Sequence, residues 1–246
     1  MAVKDIIPKD LWYRHRLREV CERILADKAK NKPYKPYILG VDGIGCSGKT
    51  VLSDKLNETL QGYNLRIQVL HIDDFIVQKA ERDDTSKRTL AENYYEIQFR
   101  YDYLKDTILT PMRKGKGGFV EAEFYDLSTD SYNVNQVNLF PDITILEGVF
   151  LHRPELDGFM DLSVYMSIDR ETQLARAISR YQKEPNRVAS IEKYEKKYNP
   201  AEERYIRECD PAKKADILFD NKTKSIVYNN QSLAHGVQKT PIIRGK

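Results

Sequence analysis

The chain has 246 residues, enough for one α/β domain with a sizeable core. Charged residues make up 31% of it, yet the formal net charge is only +3, a balance that does not suit a protein that coats nucleic acid. Three cysteines (Cys21, Cys46, Cys209) without a Cys-x-x-Cys pair argue against structural zinc and for a reducing compartment, and the lack of a long apolar run or a secretory leader at Met1–Asp5 predicts a cytoplasmic protein with no membrane span.

In chain order, residues 9–30 read as a helix, with Leu11, Leu17, Val20, Ile24 and Leu25 near a 3.6 period. Asn31-Lys32-Pro33-Tyr34-Lys35-Pro36 breaks it. Ile38, Leu39 and Val41 then form a short buried strand that runs into Gly43-Ile44-Gly45-Cys46-Ser47-Gly48-Lys49-Thr50, the pattern G-x-x-x-x-G-K-T. The glycines let successive backbone N–H groups converge on an anion. Lys49 reaches the β- and γ-phosphates of a nucleotide, and the Thr50 hydroxyl holds Mg²⁺. The helix predicted from Val51 to Leu60, with Gly62 as its stop, points its positive end at the same place. Cys46 reads as a small filler in the loop.

Leu65–Ile72 is a second strand. Residues 90–113 read as one long helix closed by Gly115-Lys116-Gly117-Gly118. Alternating segments at 119–124 and 132–137, around a turn at 126–131, predict a β-hairpin. Ile143–Leu146 and Leu162–Ile168 are further strands, residues 170–182 a helix, and a charged helical region runs to about Cys209 before a last strand at Ala215–Phe219. Five apolar strands interleaved with helices predict a mostly parallel five-stranded sheet covered on both faces.

Ligands of such sheets sit at the carboxyl ends of the strands, and acidic residues stand at two of those ends. In His71-Ile72-Asp73-Asp74-Phe75, Asp73 is the candidate base that takes the proton of an attacking hydroxyl; Asp74 binds Mg²⁺ through water or orders the turn. In Ile145-Leu146-Glu147-Gly148, Glu147 is a candidate metal-associated carboxylate. Arg176 and Arg180, four apart on one helix face and flanked by Arg170 and Arg187, are candidate cations over a transferring phosphoryl group.

Together, the loop from Gly43 to Thr50, His71-Ile72-Asp73-Asp74-Phe75, Glu147-Gly148-Val149-Phe150 and Leu174-Ala175-Arg176-Ala177-Ile178-Ser179-Arg180 resemble the uridine kinase/phosphoribulokinase family of P-loop kinases. Tyr198-Asn199-Pro200-Ala201, Tyr205 and Ala215-Asp216-Ile217-Leu218 add a weaker match, so the resemblance covers about residues 37–220. It implies a P-loop NTPase three-layer sandwich with a hairpin insertion at about 117–140 and a helical lid at about 176–210. Residues 1–36 and 223–246 are then an N-terminal helical extension and a C-terminal tail. It also implies ATP and Mg²⁺ as cofactors and Asp73 as general base. Glu147 becomes the Mg²⁺-associated carboxylate, and Arg176 and Arg180 the lid arginines. By the same resemblance Asp102 holds ribose hydroxyls and Tyr125 lines a base pocket.

Two departures stand out: Ser128-Thr129-Asp130-Ser131 lacks the histidine that reads a pyrimidine in uridine–cytidine kinases, and Gln173 replaces a further lid arginine. The expected acceptor is a small hydroxylated molecule, first a nucleoside such as uridine, with a sugar phosphate, a pantothenate-like alcohol or a nicotinamide-type nucleoside as alternatives. A GTPase-type switch is disfavoured, because Asn221-Lys222-Thr223-Lys224 does not complete a guanine-reading motif and no Asp-x-x-Gly closes the third core strand. The N-terminal helix, with Trp12 and Tyr13, packs either on the domain or on a second subunit, which leaves a homo-oligomer open.

Overall fold

A computed structural model describes residues 9–182, 187–221, 223 and 225–229. The side chains of Trp12, Tyr13 and Arg187, and the tail from residue 230, lie outside the described residues. The elements are α1 (Lys9–Asn31), β1 (Tyr37–Asp42), α2 (Lys49–Gln61), β2 (Ile67–His71), α3 (Lys79–Arg82), α4 (Leu90–Glu96), α5 (Tyr101–Leu104) and α6 (Thr110–Arg113), then the hairpin strands β3 (Phe119–Asp126) and β4 (Ser131–Asn138). They continue through β5 (Ile143–Gly148), β6 (Leu162–Ser167), α7 (Arg170–Tyr181), α8 (Arg187–Lys193), α9 (Asn199–Cys209), α10 (Pro211–Lys214), β7 (Ile217–Asp220) and β8 (Ser225–Tyr228).

The main sheet runs β2-β5-β1-β6-β7-β8. Every pairing is parallel except β7 with β8. All six residues of β1 and of β5 are buried, as strands covered on both faces must be. Alternate side chains feed two cores. Leu39, Val41, Ile143, Ile145 and Val164 meet α1 and α2 through Leu17, Val20, Ile24, Leu52, Leu56 and Leu60. Ile38, Leu70, Leu146 and Tyr165 meet the opposite layer, where Tyr94, Phe99, Phe150 and Tyr205 stack. Each fully buried leucine of α2 contributes about 1.5–3 kcal/mol by leaving water. The result is the expected three-layer sandwich.

The sheet departs from expectation by one strand. Ser225–Tyr228, read from sequence as the start of a polar tail, pairs with β7 as a sixth, antiparallel edge strand. The second departure matters for the site. Residues 90–113 are not one helix: α4 ends at Glu96, and α5 begins at Tyr101 and continues through a π-helical turn (Lys105–Leu109) into α6. Between them the chain turns and bends against residues 75–77: Val77 N donates to Gln98 O (2.9 Å), Arg100 N donates to Phe75 O (2.7 Å), and Ile76 bridges Phe99. The hairpin lies over the same stretch, with Phe75 on Phe124 (5.2 Å between ring centres) and Lys79 N donating to Asp130 Oδ1 (2.8 Å).

Candidate active site

The carboxyl ends of β1, β2 and β5 converge on one cavity of about 760 Å³. The loop after β1 forms one wall, through Gly45, Cys46, Gly48, Lys49 and Thr50; Gly43, Ile44 and Ser47 are its buried underside. Gly48 has φ 96°, and a Cβ there would come 2.7 Å from Asn221 Nδ2, so only glycine fits. α2 starts at Lys49 with no side-chain cap and no acidic residue in its first turn. Its leading N–H groups therefore remain available to an anion from outside the chain.

Two layers of side chains hold this loop. Beneath it, the Asp42 carboxylate accepts from Gly43 N (2.7 Å), from His152 Nδ1 (2.6 Å) and from the Tyr205 hydroxyl. His152 Nε2 lies 3.1 Å from Ser163 Oγ, which makes a Ser–His–Asp chain. All three residues are buried away from the cavity, and Ser163 donates to Asp216 (3.0 Å), so the set anchors the loop and is not a hydrolytic triad. Above the loop, Arg176 Nη1 donates to the carbonyls of Cys46 (3.1 Å) and Ser47 (3.4 Å). Glu202, 1% exposed, accepts from Gly45 N (2.7 Å) and from Gln173 Nε2 (2.7 Å), and Gln173 also donates to Gly45 O (3.0 Å). Burial pushes the Glu202 carboxyl above the ordinary carboxylate range, against the pull of its Gly45 bond. Neither Glu202 nor this use of Gln173 was visible in the sequence, because the contact joins positions 157 apart.

Opposite the loop stand the strand-end acids. Glu147 is almost fully buried; its Oε1 accepts from the Thr50 hydroxyl (3.2 Å) and lies 4.0 Å from Lys49 Nζ, while Oε2 meets His71 Nδ1 (2.7 Å). The bond to Glu147 raises the His71 pKa. Asp73, in the single turn Ile72–Phe75 after β2, opens onto the cavity at its floor. The enclosing protein pushes its carboxyl above the ordinary range, Lys49 draws it down, and Glu147 pushes it further up. Asp74 also lines the cavity and is raised mainly by burial.

The Thr50 hydroxyl and the Glu147 carboxylate, side by side, offer hard oxygen donors of the kind Mg²⁺ takes. Among the described residues no group of three or more His, Cys, Asp or Glu side chains could cage a metal by itself. The donor set therefore suits a magnesium ion that also leans on phosphate oxygens.

α7 and the turn Tyr194–Tyr198 bring Arg176, Arg180, Tyr181, Tyr194, Lys197 and Tyr198 to the cavity. Arg170 pairs with Glu203 (3.5 Å) instead and does not line it. Tyr125 does, but its hydroxyl is held between Arg82 Nη1 (2.8 Å) and Asp130 Oδ1 (2.6 Å). Asp102 is a correction: its side chain is 91% exposed, pairs with Lys105 (2.8 Å) on the helix surface and stands outside the cavity. The role of ribose holder that the family resemblance implied for Asp102 is therefore not met by its position.

Residues 38–227 match the model of the phosphoribulokinase/uridine kinase family. The chain belongs to that family. Within the family, it is 30% identical to uridine-cytidine kinase A of Dictyostelium discoideum over 213 residues, which are 84% of this chain and 40% of that protein. It is 30% identical over 191 residues to the uridine kinase of Macrococcus caseolyticus, covering 75% of this chain and 88% of that one. A Bacillus stearothermophilus structure described as a possible uridine kinase superposes with a TM-score of 0.68 at 30% identity, over 84% of this chain and 98% of the other. The P-loop kinase fold of the family is thus the fold of this chain. No described helix is long and apolar enough to cross a membrane.

Proposed function

We propose that this chain transfers the γ-phosphoryl group of ATP to the hydroxyl of a small acceptor, first of all the 5'-hydroxyl of a nucleoside such as uridine. One observation carries the reading: Asp73 and the phosphate-loop residues Lys49 and Thr50 open into the same cavity, with Arg176 and Arg180 at its lid. A triphosphate in the loop then meets an acceptor hydroxyl held at Asp73. The relatives' names favour the nucleoside.

Lys49 and the leading N–H groups of α2 hold the β- and γ-phosphates, and Arg176 and Arg180 offset charge as the phosphoryl group moves. Thr50 and Glu147, with Asp74 nearby, would hold magnesium, which when bound neutralises the phosphate oxygens. Asp73 orients the acceptor hydroxyl and takes its proton, for which a carboxyl raised above its ordinary range is the better base. Helices α7–α9 exclude water and so limit loss of ATP to hydrolysis.

The test is Asp73→Asn. ATP affinity stays within about twofold, while transfer to the acceptor falls by roughly 10²–10⁴. Turnover at the original rate would remove Asp73 from the chemistry.

A further inference from the structure

Two buried side chains that line the cavity carry a polar atom without a hydrogen-bond partner: the Tyr194 hydroxyl and Gln98 Oε1. Tyr194 lies at the phosphate-loop end, where its hydroxyl would be 2.9 Å from a Cβ on Gly45. Gln98 lies at the other end. Its backbone carbonyl is tied to Val77, three residues beyond Asp74, and its neighbour Phe99 turns into the core against Tyr94 and Phe150. Gln98 itself lines the cavity, at the bend where α4 ends and the chain meets residues 75–77 just beyond the Asp73 turn. The side chain is only 7% exposed. An acceptor oxygen that deeply buried is costly to leave unpaired, and such an atom marks where a ligand completes the bond.

Two buried cations that line the same cavity are already matched. Arg82 is bound to Val77 O (2.8 Å) and the Tyr125 hydroxyl (2.8 Å) and lies 3.8 Å from Asp130; Lys197 pairs with Asp83 (3.5 Å). Arg82 and Lys197 each have a carboxylate, so the unmet demand beside Gln98 is for an uncharged donor rather than for an anion.

We infer that Gln98 is the residue that reads the phosphoryl acceptor, through a hydrogen bond donated to its Oε1 by an uncharged N–H or O–H of that molecule. This rests on the kinase reading above and replaces Asp102 in the role of acceptor binder. It sets neutral acceptors such as nucleosides apart from sugar phosphates and sugar acids.

The experiment measures ADP release by the full chain with Mg·ATP, using uridine, cytidine and adenosine against ribulose 5-phosphate and glycerate. The best acceptor is then compared with analogues that each lack one donor (for a nucleoside, the deoxy and N-methyl forms), on the unaltered chain and on Gln98→Met. The expected outcome has three parts. A neutral acceptor is preferred. Gln98→Met raises its KM about 10- to 100-fold while KM for ATP stays put and the thermal midpoint of the ligand-free chain does not fall. One analogue loses the same factor on the unaltered chain and nothing further on Gln98→Met, a coupling that a structural role would not produce.

An acceptor KM within twofold in Gln98→Met overturns the inference and leaves the kinase reading standing. So does an analogue series in which no lost donor costs tenfold on the unaltered chain, which keeps the test available if the variant fails to fold. Transfer only to the anionic acceptors overturns the uncharged class. Transfer to none of the five overturns the kinase reading and this inference with it.

Discussion

At the scale of single residues, Glu202 shows how a buried carboxylate is made tolerable. It is held by one backbone N–H and one side-chain amide, each supplying a donor to one oxygen. Glutamine at this position has the same shape but only one acceptor oxygen; its amide nitrogen would face either Gly45 N–H or Gln173 Nε2, donor against donor. Glu202→Gln should therefore lower stability by about 1–3 kcal/mol, read from the denaturant midpoint. An unchanged midpoint would mean that the clasp on Gly45 is dispensable. The phosphate loop itself was legible because eight consecutive residues specify it. Asp73, Glu147 and Arg176 were legible because each follows a recognisable strand or sits at helical spacing. Gln98 was hidden: its neighbours are rich in Tyr and Leu at helical spacing, and only the bonds to residues 75–77 end the helix there. Asp102 shows the complementary case: a carboxylate three residues before a lysine fits a helix-surface pair as well as a ligand contact, and here it forms the pair.

At the scale of elements, the link between α8 and α9 is a π-helical turn, Tyr194–Tyr198, and it presents Lys197 to the interior. The ammonium lies 5.6 Å from the Tyr94 ring centre and 5.9 Å from that of Tyr198, with Asp83 as its ion partner. Burial brings its pKa down to about 8 from the ordinary lysine value, and the Asp83 charge restores only part of the loss. The unfolded chain, with a lysine pKa of about 10.4, binds more protons than the folded chain between these values. Stability from this site thus rises with pH above about 8 and is lost as pH falls through about 8. Lys197→Met, close in volume and uncharged, should raise the midpoint by about 1–3 kcal/mol at pH 7, and the gain should fade by pH 10. A gain equal at both values would show that the charge is not what matters. The hairpin and the other strands followed their sequence patterns closely. The edge strand β8 did not, because four residues exposed on one face carry too little periodicity to stand out from a polar tail.

At the scale of the whole molecule, the sheet order places β1 between β5 and β6, so the phosphate loop rises between strands whose connections leave in opposite directions. The fold class followed from alternating strand and helix patterns; the clamps on the loop did not, because they are long-range. Tyr205 is the clearest. Fully buried on α9, it donates to Asp42 at the end of β1 and accepts from His152 N (3.0 Å), joining lid helix, central strand and loop base. Tyr205→Phe keeps the ring, strands the backbone N–H of His152, and leaves Asp42 Oδ2 with one of its two donors. It should cost about 1–3 kcal/mol and weaken nucleotide affinity as well, measured by thermal unfolding with and without ATP. A variant that lost stability but bound ATP unchanged would uncouple the lid from the loop.

The clasp on Gly45 and the bond from Asn221 to Ser47 O span 157 and 174 positions. A chain emerging from the ribosome therefore exposes its phosphate loop long before Glu202 and Asn221 have been made. The strand, the loop and α2 can pair early, but nothing yet fixes the N–H groups at their final angle. On the proposed kinase reading, a chain truncated before Glu202 should carry the signature motif and yet bind nucleotide more weakly than the full chain, because the bonds from Glu202 and Asn221 to the loop are missing.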